Sequence, residues 1–150
     1  MRRAIELSLE NVKSERGGPF AAVVVRGGEI IAEGTNQVTA MKDPSAHAEI
    51  LAVRDACRKL QNFQLTGCEI YSSCEPCPMC LGLIYWARPE RIFYATTAED
   101  AAAIGFDDSR IYRELKAPRE ARSIPMEQIL RDEALAAFQA WQQKPDKILY

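Results

Sequence analysis

His47 is the only histidine in a chain of 150 residues, and Glu49 stands two positions on. Thirty residues after His47 comes Pro76-Cys77-Pro78-Met79-Cys80. One imidazole and two thiolates make a metal-binding set. Two cysteines three apart share one face of a helix. In a first helical turn the unpaired N–H groups and the helix dipole favour the thiolate form. Three protein ligands leave the fourth tetrahedral position of Zn²⁺ to water, as a catalytic centre requires. Zinc lowers the pKa of such a water to about 7. A carboxylate beside it can accept the proton and pass it on. Glu49 fits that general acid/base role and is not needed as a ligand.

The spacing sets a geometric condition. Two residues apart in mid-helix means roughly 200° of rotation, so His47 and Glu49 would point apart. They converge only at a helix end. Asp43-Pro44-Ser45 supplies a capping residue and a proline suited to a first turn, which places both residues at such an end.

The five cysteines are Cys57, Cys68, Cys74, Cys77 and Cys80. An odd count argues against a disulfide framework and for reduced thiols in a cytoplasmic protein. A rival reading takes Cys74-x-x-Cys77-x-x-Cys80 as part of an iron–sulfur run, or lets Cys74 close a structural zinc site. No fourth cysteine follows, however. Cys74 precedes Pro76 at a strand end, off the helix face, and a closed site would leave Glu49 without a role.

The elements that must position these groups follow from local pattern. Residues 2–13 read as a helix, with Ile5, Leu9 and Val12 at helical spacing. Phe20 to Val25 and Glu29 to Ala32 read as strands joined at Gly27-Gly28 by a tight primed turn. Ala46 to Leu60 is a helix with Ile50, Val53, Cys57 and Leu60 on one stripe. Glu69–Ser73, a helix over 77–87 introduced by Pro76, and Arg91–Ala95 form a βαβ unit with parallel strands. Beyond residue 97 the pattern predicts helices near 98–104, 109–115 and 131–144. An edge strand is predicted at Arg122–Met126, where Pro125 bars a central position. Pro145 should stop the last helix and leave a short tail. The fold class is α/β, a three-layer αβα sandwich with helices on both faces of a mixed central sheet.

Composition sets outer limits. At 47% apolar and 27% charged residues the chain is neither disordered nor low-complexity. Its length is that of a single domain. A net charge of −2 disfavours gripping nucleic acid by phosphate neutralisation. No run approaches the ~20 apolar residues of a membrane span. Glu6 interrupts the position where a signal peptide needs an apolar core.

The pairing H-x-E…P-C-x-x-C is the signature of zinc nucleobase deaminases. Around it the chain resembles guanine deaminases of the cytidine-deaminase-like zinc superfamily. The matching stretches include Gly18-Pro19-Phe20, Asn36, Asp43 to Glu49, Ser73 to Cys80, Ile84 to Pro89, Gly105 to Ser109, Phe138 to Trp141 and Tyr150. Gly105-Phe106-Asp107-Asp108-Ser109 and the last tyrosine point to guanine; the zinc motif alone does not name a substrate.

The resemblance implies a cytidine deaminase-like fold and hydrolysis of guanine to xanthine and ammonia. It implies one Zn²⁺ per chain on His47, Cys77 and Cys80, with Glu49 and Asp108 catalytic. It implies a purine site built from Phe20, Asn36, Ala48 and Tyr150. Phe20 would pack on the purine face and Asn36 would bond its edge. Asp108 would engage the amino side and shuttle a proton to the leaving ammonia. It also implies a homodimer in which the segment from about 97 to 150 is exchanged, with Tyr150 over the neighbour's pocket. Each residue has a plainer reading. Asp108 precedes a predicted helix and suits an N-cap, Asn36 suits a turn and Phe20 suits the core. Whether the tail covers its own site or its partner's is open. Guanosine deamination is the nearest alternative activity. Deamination of tRNA adenosine is the alternative on nucleic acid. It calls for a basic last helix, whereas Arg131-Asp132-Glu133 opens this one and 134–143 carries no charge.

Overall fold

Gly27 and Gly28 both adopt positive φ, 58° and 85°. That pair makes the two-residue turn expected between β1 (Ala21–Arg26) and β2 (Glu29–Thr35), which run antiparallel. The computed structural model describes residues 1–149. Phe20 lies just before β1, and β2 continues past Ala32 to Thr35. β3 (Cys68–Cys74) pairs antiparallel with β1 and parallel with β4 (Arg91–Thr96). The order β2-β1-β3-β4 gives the mixed sheet. Helix α4 (Pro78–Ala87) links the parallel pair as expected for a βαβ unit.

Alternation along the strands divides the core. Ala21 and Val23 turn to α1 (Arg2–Lys13), where Ala4 and Leu7 meet them. Ala22, Val24, Ala32 and Ile70 turn to the opposite face, covered by α3 (Ala48–Leu60) and α4. Helices therefore lie on both faces. Ala48, Ala52 and Ala56 are fully buried at helical spacing, so α3 approaches β2 closely. Gly34 makes the closest point: a Cβ there would overlap the Ala48 carbonyl oxygen and come within 2.6 Å of the Ala52 nitrogen.

The stripe expected to bury α1 is not the one that does. Ile5, Leu9 and Val12 are 40%, 58% and 50% exposed. The buried face is Ala4, Leu7, Ser8 and Asn11. In this rotation Arg3 makes a two-pronged bond to Glu33 on β2, Nε to Oε1 at 2.7 Å and Nη2 to Oε2 at 3.0 Å.

Short helix α2 (Val38–Met41) follows β2, and α5 (Ala98–Ala103) follows β4 under a Thr97–Asp100 capping box. The chain divides into two units, 1–108 and 109–150. The second contains α6 (Ser109–Lys116), a 3-10 turn at Arg119–Ala121 and α7 (Arg131–Gln143), which ends before Pro145 as expected. The strand expected at Arg122–Met126 is absent. The Ser123 N–H bonds the Glu114 carboxylate at 2.9 Å, and Pro125 has no N–H to give a ladder. Among its described residues the second unit has no buried side chain. No described helix is long and apolar enough to cross a membrane.

Candidate active site

His47 and Cys77 sit immediately before their helices. His47 is the N-cap of α3 with φ −73° and ψ 154°, and Cys77 is the N-cap of α4 with φ −63° and ψ 166°. Both helices start later than the sequence suggests. The Asp43 carboxylate does not cap α3. It accepts bonds from the Ser45 N–H and Oγ, each at 2.8 Å, and so closes a turn that delays the helix to Ala48. At α4 the first helical position belongs to Pro78, not to a residue following Pro76 directly.

The delay meets the geometric condition. Because His47 is extended, its side chain leaves the helical wheel, and Glu49 in the first turn shares its side. His47 Nδ1 lies 3.5 Å from Cys77 Sγ and 3.5 Å from Cys80 Sγ. All three ligand atoms fall within 4.8 Å of one another. Tetrahedral zinc at ~2.05 Å from nitrogen and ~2.3 Å from sulfur sets those atoms about 3.6 Å apart. The donor set and its spacing fit one zinc ion with a position left over. Cys74 stands outside this group, its Sγ turned to the Thr97 carbonyl at 3.5 Å.

Charge is arranged to match. Donation from the Cys80 thiol, aided by His47, holds Cys77 down to about 4 against the opposing effect of burial. Its thiolate in turn raises the His47 pKa. Cys80, which supplies the shared proton and is buried, is pushed up.

Glu49 is only 6% exposed, and burial raises its carboxyl pKa. Oε1 accepts from Ser72 Oγ at 2.9 Å, and Oε2 lies 3.4 Å from Cys80 Sγ. The carboxylate is thus held against the ligand set without belonging to it.

Phe20 and Asn36 flank the start of β1 and the end of β2. Phe20 meets Phe106 edge to face, centroids 4.9 Å apart at 89°. Asn36 is buried, and its Oδ1 faces the N–H groups of Gly18 at 3.3 Å and Val38 at 3.4 Å. Its NH₂ is left for another partner. Asn11 ties these segments together from α1: its Nδ2 donates to the Gly18 carbonyl at 2.9 Å and the Asn36 carbonyl at 2.8 Å. Ala48 is fully buried at the first position of α3, where a backbone N–H has no partner within the helix. Asp108 is partly buried; burial, with Cys77 next, raises its carboxyl pKa. Tyr150 lies outside the described residues.

Ser72 and Asn11 escape a motif reading. Ser72 shares the inward face of β3 with Cys68, Ile70 and Cys74, so a serine there breaks an apolar pattern. Asn11 likewise interrupts the face of α1. Polar residues at core positions were the available signal.

Comparison with known proteins bears on the chemistry. The family model "Cytidine and deoxycytidylate deaminase zinc-binding region" matches residues 1–96. The curated guanine deaminase of Bacillus subtilis is 53% identical over 150 residues, covering 100% of this chain and 96% of the relative. A tRNA-specific adenosine deaminase of Haemophilus influenzae is 37% identical over 124 residues, 77% of this chain and 70% of that protein. Among solved structures, the X-ray structure of Bacillus subtilis guanine deaminase superposes with TM-score 0.96 at 54% identity, covering 99% and 95% of the two chains. Guanine deaminase from Nitrosomonas europaea gives TM-score 0.67 at 36% identity, covering 92% and 80%.

Proposed function

The chain belongs to the cytidine and deoxycytidylate deaminase zinc-binding family, and from that premise we propose that it is a zinc-dependent guanine deaminase. It adds water at C2 of guanine and expels the amino group, so guanine and water become xanthine and ammonia. Full-length likeness to guanine deaminases carries the substrate. The buried Glu49 carboxylate beside the His47, Cys77 and Cys80 set carries the chemistry.

Zinc on those three residues supplies Lewis-acid activation of water near neutral pH. The chain's own groups do the rest. Glu49 takes the proton from the attacking water and delivers it to a ring nitrogen. Phe20, braced edge-on by Phe106, packs on the purine face. The Asn36 NH₂ donates to an acceptor on the purine edge, and the Ala48 N–H at the start of α3 offers a second donor. Asp108 relays the second proton of the added water to the leaving amino group, which departs as ammonia.

The protein acts as a homodimer with its C-terminal unit exchanged. Support comes from residues 109–149, none of which is fully buried in the single chain, while Ile111, Leu115, Ile129, Leu130, Phe138 and Trp141 are exposed. A second copy covers such apolar surface, and the exchange brings Tyr150 over the neighbour's purine. A cytoplasmic setting keeps the five free cysteines reduced.

The deciding experiment incubates the zinc-loaded protein with guanine, guanosine, adenine, cytosine, cytidine and tRNA, and measures ammonia. Guanine should be turned over far faster than the rest. Comparable release from guanosine or tRNA would replace this reading with the corresponding alternative.

A further inference from the structure

We propose that Ser72 is a positioning residue for the deamination, holding the Glu49 carboxylate in the orientation that serves the zinc site. The inference rests on the reading of Glu49 as general acid/base. Ser72 is 2% exposed and sits in the middle strand pairing, opposite Ala22 on β1 and Tyr94 on β4. Its inward neighbours Cys68 and Ile70 are fully buried in the core under α3 and α4. A hydroxyl at such a position costs free energy unless it is bonded. The bond it makes is to Glu49 Oε1 at 2.9 Å. Oε1 is thereby anchored to the sheet, and Oε2 is left facing Cys80 Sγ at 3.4 Å. A carboxylate held at one oxygen can rotate only about that contact. Two faces of the core, one strand and one helix start, therefore fix a single proton-carrying atom. Outer-layer partners of metal sites typically matter by 10–100-fold when removed.

The test is made on the zinc-loaded enzyme with guanine. Ser72→Ala should lower kcat by about 10–100-fold, leave KM within about twofold and keep one zinc per chain. In its crystal structure Glu49 Oε2 should have moved off Cys80 Sγ. Thr and Val have the same shape and differ by the hydroxyl alone. Ser72→Thr should therefore be at least about tenfold more active than Ser72→Val, the lower end of the outer-layer range. In a Glu49→Gln background Ser72→Ala should cost nothing further, because two residues that act as one are non-additive. Unchanged kcat in Ser72→Ala, equal activity of the Thr and Val variants, or the same fold loss in the Glu49→Gln background would each overturn the proposal. Near-normal turnover by Glu49→Gln alone would instead remove the reading of Glu49 on which it rests.

Discussion

His47 and Cys77 occupy the same station in two different helices, each the extended residue just before the first turn, with Nδ1 and Sγ 3.5 Å apart. The ends of α3 and α4 thus meet head to head, and the positive poles of both helices face the thiolates. Zinc should stand at one per chain in the wild type and in Cys74→Ser, because the Cys74 sulfur of the wild type faces the Thr97 carbonyl and not the ligand set. Cys80→Ser and His47→Ala should lose it and melt at lower temperature, because metal affinity is part of folding free energy. Elemental analysis with a thermal melt checks this. Zinc loss in Cys74→Ser would sink the ligand assignment.

Glu49→Gln keeps the shape of the side chain and removes the base. Positioned acid–base catalysis is typically worth about 10²–10⁴ in rate. Turnover should fall by at least that factor with zinc content unchanged.

Asp108 stands immediately before α6, where Asn caps a helix about as well as Asp. Asp108→Asn therefore separates proton transfer from helix capping. Guanine turnover should collapse while the melting temperature hardly moves. A stable, active variant would leave Asp108 with the structural task alone.

Glu33 gives a stability signature in acid. The Arg3 guanidinium bonded to it holds its carboxyl below the ordinary value, against a smaller opposing effect of burial. A depressed carboxylate contributes stability above its unfolded pKa of about 4.3 and loses it as pH falls through the lower folded value. Solvent screening of this exposed pair keeps that contribution small. Glu33→Gln should melt about 1–2 °C lower at pH 7. The gap should close below pH ~4. A gap that widened in acid would contradict the assignment.

The proposed exchange of the tail predicts complementation. Deleting residues 147–150 should abolish guanine turnover with zinc retained. Mixing that protein with Glu49→Gln should then restore activity, since one pocket of the mixed dimer keeps its own Glu49 and the neighbour's Tyr150. No recovery after confirmed subunit exchange would mean that each chain covers its own site.

What the sequence made legible was the chemistry and the sheet. The His47, Cys77 and Cys80 spacing, the Gly27-Gly28 turn and the βαβ order all appear as expected. The misses share a cause. On α1 the apolar stripe faces outward, because burial went to Ala4 for close packing and to Asn11 for its bonds to two carbonyls. At Arg122–Met126 a side chain, Glu114, took the N–H that a ladder needed. At α3 an Asp43 turn displaced the helix start. In each case a specific side-chain hydrogen bond outweighed the pattern of propensities, and periodicity does not register such bonds.

Gly34 sets the gap between the second strand and the helix that carries the carboxylate. It acts as a spacer of zero thickness. A single methyl group inserted there would wedge α3 away from the sheet and carry His47 and Glu49 off together, as a door moves handle and latch at once. The distance of His47 and Glu49 from the sheet is therefore set by a residue with no functional group of its own.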